Sequence, residues 1–172
     1  MEFKKQPFIP MLFGGDINTY SVARAFYEEY QVKTYVFGKF PSGPSYNSNI
    51  IEYHANLKID TDEVFMQTVR DFAAAHADKT VLTIGCGDSY VALCSRHKDE
   101  MPENVIAPYI DFELMDRLQQ KELFYRLCRE HDIDFPDTLV FRHGMDLDFE
   151  LPFSFPVILK PSNSVMYWEH EF

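Results

Sequence analysis

Basic residues are scarce in this chain: sixteen Lys and Arg stand against twenty-seven Asp and Glu, for a net charge of −11. An acidic surface repels phosphate backbones, and nucleic-acid binding requires neutralising them. Lys4-Lys5 and Arg96-His97-Lys98 are too short to form a local exception. The same repulsion disfavours anionic membranes. No stretch approaches the roughly 18 apolar residues of a membrane span. The opening MEFKKQP lacks the apolar run and small-residue cleavage site of a signal peptide. Cysteine is also sparse, with Cys86, Cys94 and Cys128 at wide spacing and no C-x-x-C. That is no disulfide framework, and it reads as buried free thiols in a reducing compartment. The chain is therefore read as cytoplasmic, with neither nucleic acid nor membrane as a partner.

Several chemical signatures are missing too. There is no G-x-x-x-x-G-K-[ST] phosphate loop. Gly85-Cys86-Gly87 begins like a dinucleotide fingerprint, but Tyr90 stands where the third Gly belongs. No obvious acidic ribose partner follows Gly87 by about twenty residues. A nicotinamide oxidoreductase is disfavoured on both counts. Nothing matches H-E-x-x-H or a zinc cluster, and no two His sit at ligand spacing. No nucleophile elbow supports Ser/His/Asp chemistry. No catalytic residue and no metal ligand is named from this chain.

What is present is bulk for a core: 46% of residues are hydrophobic, with sixteen Phe and ten Tyr. FIPMLF, Phe8 to Phe13, reads as a buried strand closed by Gly14-Gly15. Asp16 to Thr19 offers several helix caps, and apolar residues at helical spacing follow to Tyr30. Thr34–Phe37 and Ile50–Tyr53 read as strands, with a Pro/Gly/Ser-rich loop from Lys39 to Ser48 between them. Asp60-Thr61-Asp62 caps a helix to about Ala77. Thr80–Ile84 is a strand ending in Gly85-Cys86-Gly87-Asp88, where Asp88 can cap a helix to about His97. Val105–Ala107 is a last strand, stopped by Pro108. This order predicts a parallel α/β sheet with ligands at the carboxyl ends of its strands. Two of those ends carry Gly-rich turns followed by Asp.

After Pro108 the character changes. One or two helices are expected between Asp111 and His131. Strands are expected at Thr138–Phe141, Phe155–Lys160 and Val165–Trp168, with an acidic loop between the first two. The informative stretch runs from Lys121 to Ser162, KELFYRLCREHDIDFPDT followed by LPFSFPVILKPS. It resembles the entry to an ATP-grasp domain. There a Lys opens a helix, a "G-I-P-x-P-x-T" turn follows, and a "P-x-x-x-K-P" strand comes about twenty residues later. Here Asp132 replaces the usual Gly and Asp134 the usual first Pro. Two Lys from separate elements suit a polyanionic triphosphate, because each acts as a point charge. By resemblance, Lys160 contacts nucleotide phosphate and adenine N7, and Lys121 contacts phosphate. On residue type alone, Lys121 is equally an exposed helix residue and Lys160-Pro161 a strand end.

The resemblance extends forward. FIPMLFGGDINTYSVARAFYEEY, from Phe8, and NSVMYW after Ser162 are similar to the D-aspartate ligase-like carboxylate–amine ligases. The fold implied is a Rossmann-like parallel sheet, the pre-ATP-grasp domain at residues 1–110. The start of an ATP-grasp α+β subdomain follows at 111–172. The activity implied is ATP-dependent formation of a C–N bond through an acyl phosphate, with ATP and Mg²⁺ as cofactors. The implied partners are a small carboxylate or amino-acid substrate; a homodimer is left open. Gly15, Asp16 and Asn18 are implied on the substrate side, and turn and cap chemistry explains the same residues unaided. Gly87 and Asp88 have the same two readings. In the family the Mg²⁺ ligands and the adenine hinge lie downstream of the Lys-Pro strand. A chain ending at Phe172 is accordingly expected to be inactive alone. The competing expectation is a non-catalytic α/β domain that binds a small anion at its strand ends.

Overall fold

A computed structural model describes residues 2–41, 43–146 and 148–163. The FIPMLF run forms the central strand β1 (Phe8–Phe13). Successive side chains of a strand point to opposite faces, so one strand can seed two cores. Ile9, Met11 and Phe13 join one cluster, and Leu12 joins the other. Both faces are covered, which is why the run tolerates no polar residue.

α1 (Ile17–Tyr30) covers the Leu12 face through Ala23, Phe26 and Tyr27. β2 (Thr34–Gly38) and β3 (Ile51–Ala55) follow. α3 (Asp62–Ala75) covers the opposite face with Phe65, Met66, Val69, Phe72 and Ala73, all buried. Phe65 packs 4.6 Å from Phe13, ring centre to ring centre. β4 (Thr80–Gly85), α4 (Asp88–Arg96) and the short β5 (Val105–Ile106) complete this part. The sheet order is β3-β2-β1-β4-β5, and every pair is parallel. The expected α/β class and parallel sheet are thereby found.

The order places a topological switch between β1 and β4. From β1 the chain builds outward to β2 and β3, then crosses to the other side at β4. Ligand crevices in open α/β sheets open at the carboxyl ends of such a strand pair. Register brings Phe13 level with Gly85, so both Gly-rich turns leave the sheet side by side.

Two details differ from expectation in this part. The Lys39–Ser48 loop contains one helical turn, α2 (Gly43–Tyr46), whose Ser45 is buried and donates to Asp16 O at 3.3 Å. Asp88 is not the cap of α4: Gly87 takes that position and Asp88 opens the first turn. A carboxylate there still lies at the positive end of the helix.

The chain divides into two compact units, the first running through Met115 and the second starting at Asp116. The helical stretch after Pro108 resolves into α5 (Phe112–Gln119) and α6 (Lys121–Glu130). The strands expected at Thr138–Phe141 and Phe155–Lys160 do not form. Their β-branched and aromatic residues favour extended backbone, but a strand also needs a ladder partner. Among the described residues these runs have none, and Ile158 and Leu159 are exposed. The expected strand at Val165–Trp168 lies outside the described residues. Among those described, no helix is long and apolar enough to cross a membrane.

Just past α6 and its His131 cap, Asp132 has a left-handed φ of 53°. Ile133 N donates back to Cys128 O at 2.8 Å, closing the helix end. This conformation explains why Gly is usual at that position, and Asp is among the few other types that tolerate it. Asp132→Gly is expected to be accepted without loss of stability. Asp132→Val is expected to lose about 1–2 kcal/mol, read as a lower urea midpoint.

α3 and α4 are tied by charge. Asp62 Oδ1 accepts from Arg96 Nη1 at 2.7 Å and contacts His97 Nε2 at 2.6 Å. The Arg96 hydrogen bond holds the Asp62 carboxyl below its ordinary value, with burial opposing and His97 assisting. A carboxyl held low in the folded state adds stability above its unfolded pKa and loses it as pH falls through the folded one. Urea midpoints should therefore fall less steeply below about pH 4 in Asp62→Asn than in the parent chain. Parallel curves would exclude this role.

Candidate functional site

The carboxyl edge at the β1–β4 switch is assembled by backbone bonds. Gly14 N donates to Phe37 O at 2.9 Å, and Cys86 N donates to Phe13 O at 2.8 Å. The turn after β1 is packed from beneath by Tyr53 of β3. Its hydroxyl donates to Phe40 O at 2.7 Å, and a Cβ on Gly15 would lie 2.5 Å from that oxygen. Gly15 thus leaves room for the Tyr53 hydroxyl, and a larger residue there would have to displace that ring. On the β4 side, Gly85 N donates to Tyr109 Oη at 2.7 Å.

Asp16 and Asn18 are brought together at the start of α1. Asp16 Oδ1 accepts from Thr19 N at 3.0 Å and from Thr19 Oγ1 at 3.1 Å, and Oδ2 accepts from Asn18 Nδ2 at 2.9 Å. Oδ1 therefore serves the cap, Oδ2 is held by the Asn18 amide, and the negative charge already sits at the positive end of α1. Gly87 and Asp88 open α4 on the adjacent strand end. The five candidates from the two Gly-rich turns thus share one edge of the first unit.

Sequence reasoning missed several residues here. Thr19 is fully buried and holds Asp16. Tyr90, on α4, packs 6.1 Å from Phe13. Burial first, then the Asp60 carboxylate and Tyr53, push its phenol up. Lys39 Nζ meets Asp60 Oδ2 at 2.6 Å, joining the end of β2 to the approach to α3. Neither Tyr90 nor the Lys39–Asp60 pair belongs to a local motif, so only the folded chain reveals them.

Cys86 borders the same edge. Burial pushes its thiol up to about 11, the Asp16 charge adds to this, and a Thr19 hydrogen bond works against it. Burial likewise pushes Cys94 up to about 12. Thiolates are the reactive species, so neither is poised as a nucleophile at neutral pH.

The second unit contains a cavity of about 520 Å³ lined by Lys121, Lys160, Glu122, Thr138 and Ser162, among others. Lys121 opens α6 as expected. Its backbone N donates to Ser162 O at 3.0 Å, which draws the Lys160-Pro161-Ser162 segment to the start of the helix. The structure thus brings the two candidate nucleotide lysines to one cavity. Glu122 Oε1 accepts from Arg142 Nη2 at 2.5 Å, a link that sequence reading missed. The volume lies within the 300–1,000 Å³ typical of small-molecule sites. Among the described residues, no group of three His, Cys, Asp or Glu side chains could hold a metal ion.

No protein-family model matches the chain. The D-aspartate ligase of Enterococcus faecium (strain Aus0004) is 40% identical over 176 aligned residues, covering 98% of this chain. The chain spans 42% of that relative's length. The crystal structure of an L-amino acid ligase from Bacillus licheniformis superposes with a TM-score of 0.53. That match covers 92% of this chain and 38% of the neighbour at 18% identity, and it speaks for the fold alone.

Iodoacetamide alkylation at pH 7.5 should label Cys86 slowly in the folded chain and much faster in urea. Rapid labelling of folded chain that is lost in Cys86→Ala would overturn the assignment of an unreactive thiol.

Proposed function

From the premise that the chain is a relative of the ATP-grasp ligases of the D-aspartate ligase type, we propose that it forms part of an ATP-dependent carboxylate–amine ligase. The observation that carries this reading is the convergence of Lys121 and Lys160 on one cavity in the second unit. Two ammonium groups on separate elements counter the charge of a triphosphate. Lys121 is fixed by its place at the first turn of α6, and the bond from its backbone to Ser162 anchors the segment carrying Lys160.

The reaction proposed has two steps. A carboxylate oxygen of one substrate attacks the γ-phosphorus of ATP. The bond from that phosphorus to the bridging oxygen breaks, and ADP leaves. The amine nitrogen of the second substrate then attacks the acyl carbon, the C–O bond to phosphate breaks, and the nitrogen gives up a proton. Lys121 and Lys160 bind nucleotide and oppose charge accumulating on the phosphates. The edge carrying Gly15, Asp16, Asn18, Gly87 and Asp88 takes the amino-acid or carboxylate substrate. The family implies Mg²⁺, and the described residues do not fit one, so no step is assigned to a metal ligand of this chain. On this reading the 172 residues bind substrates without completing turnover alone, and the enzyme works in the cytoplasm on free ATP and amino acids.

ATP titrated into the chain should bind, and Lys121→Ala and Lys160→Ala should each weaken binding by about tenfold or more. Unchanged affinity in both variants would sink the nucleotide site. D-aspartate-dependent ADP release is expected from the intact ligase and absent from the 172 residues.

A further inference from the structure

The candidates from the two Gly-rich turns leave a question of charge. An amino-acid substrate presents a carboxylate and an ammonium, and each needs an opposite charge where water is partly excluded. Asp16 is already committed, with Oδ1 capping α1 through Thr19 N and Oδ2 taken by the Asn18 amide. Lys39 and Asp60 can supply both.

The pair sits at the carboxyl edge of the sheet. Lys39 directly follows β2, which ends at Gly38. Asp60 lies in the short connection between β3 and α3, which is tied to the same strand end by Asn56 N donating to Gly38 O at 2.9 Å. The side chains are 41% and 31% exposed, so they are neither buried nor freely solvated. The Asp60 charge also reaches Tyr90 in the first turn of α4, which follows β4 on the other side of β1. In the Lys39–Asp60 bond the ammonium uses one of its three hydrogens and the carboxylate uses Oδ2. That leaves two hydrogens on Lys39 and the Oδ1 oxygen of Asp60 with capacity for groups of opposite sign. Pre-paired groups of this kind are held in place before a ligand arrives, which lowers the entropic cost of binding.

We propose that Lys39 and Asp60 form a zwitterion-recognising pair for a free α-amino acid, with Lys39 receiving its carboxylate and Asp60 its ammonium. This rests on the ligase reading and names the residues that select the substrate class.

The test is calorimetric titration of the chain with D-aspartate, L-aspartate and succinate, which lacks the ammonium. Wild type is expected to bind an amino acid more tightly than succinate. Lys39→Gln and Asp60→Asn are each expected to weaken amino-acid binding by about tenfold or more. The charge-swapped double variant, Lys39→Asp with Asp60→Lys, separates recognition from structure. It should recover the melting temperature lost in the single variants while its amino-acid affinity stays low. Affinity that is unchanged in the single variants, or restored by the swap, would reduce the pair to a structural ion pair and overturn the proposal. ATP titrated in parallel distinguishes the two readings. A wild-type chain that binds ATP but no amino acid sinks this inference alone, whereas a chain that fails to bind ATP sinks the ligase reading first.

Discussion

The parallel pairing of β1 with β4 is the constraint on which the first unit depends. It joins two segments about seventy residues apart in the chain, through six consecutive register partners from Phe8–Thr80 to Phe13–Gly85. Because the register ends on Phe13 and Gly85, the two Gly-rich turns emerge together. A slip of one residue would send Met11 and Phe13 to the α1 face and Leu12 to the α3 face, so the packing of both cores specifies the register. The Phe13–Phe65 contact therefore helps set where the two turns emerge.

Much of this was legible because it is local. A run of apolar residues closed by glycines, as at Phe8–Gly15 and Thr80–Gly85, has few ways to fold. The apolar spacing showed one or two helices between Asp111 and His131, and the resemblance, in which a Lys opens a helix, placed a start at Lys121. The Gly-Pro-Ser-Tyr turn α2 was hidden by a composition that reads as loop. The runs Thr138–Phe141 and Phe155–Lys160 show the opposite failure. Propensity was sufficient to suggest strands, but hydrogen bonding to a neighbour makes a strand, and sequence does not carry the neighbour. The Lys39–Asp60 pair was illegible for the same reason: twenty-one residues and a turn separate its members, and only the crossover from β3 to α3 brings them together.

The candidate residues in the two Gly-rich turns divide on physical grounds. Gly15 and Asp16 have structural work that accounts for them: one admits the Tyr53 hydroxyl and the other caps α1. They make poor reporters, since substitution disturbs the edge itself. Lys39, Asp60 and Lys160 are better placed to separate recognition from folding.

The bond from Lys121 N to Ser162 O closes a loop of about forty residues, and closing such a loop costs chain entropy that grows only slowly with length. Beyond α6, the described residues of that loop carry no regular secondary structure, so its ends depend on contacts such as this one. A triphosphate spanning Lys121 and Lys160 would add a second tie across the same closure. The nucleotide would then act as a reversible cross-link, and the order it imposes on the intervening chain would be drawn from its own binding energy.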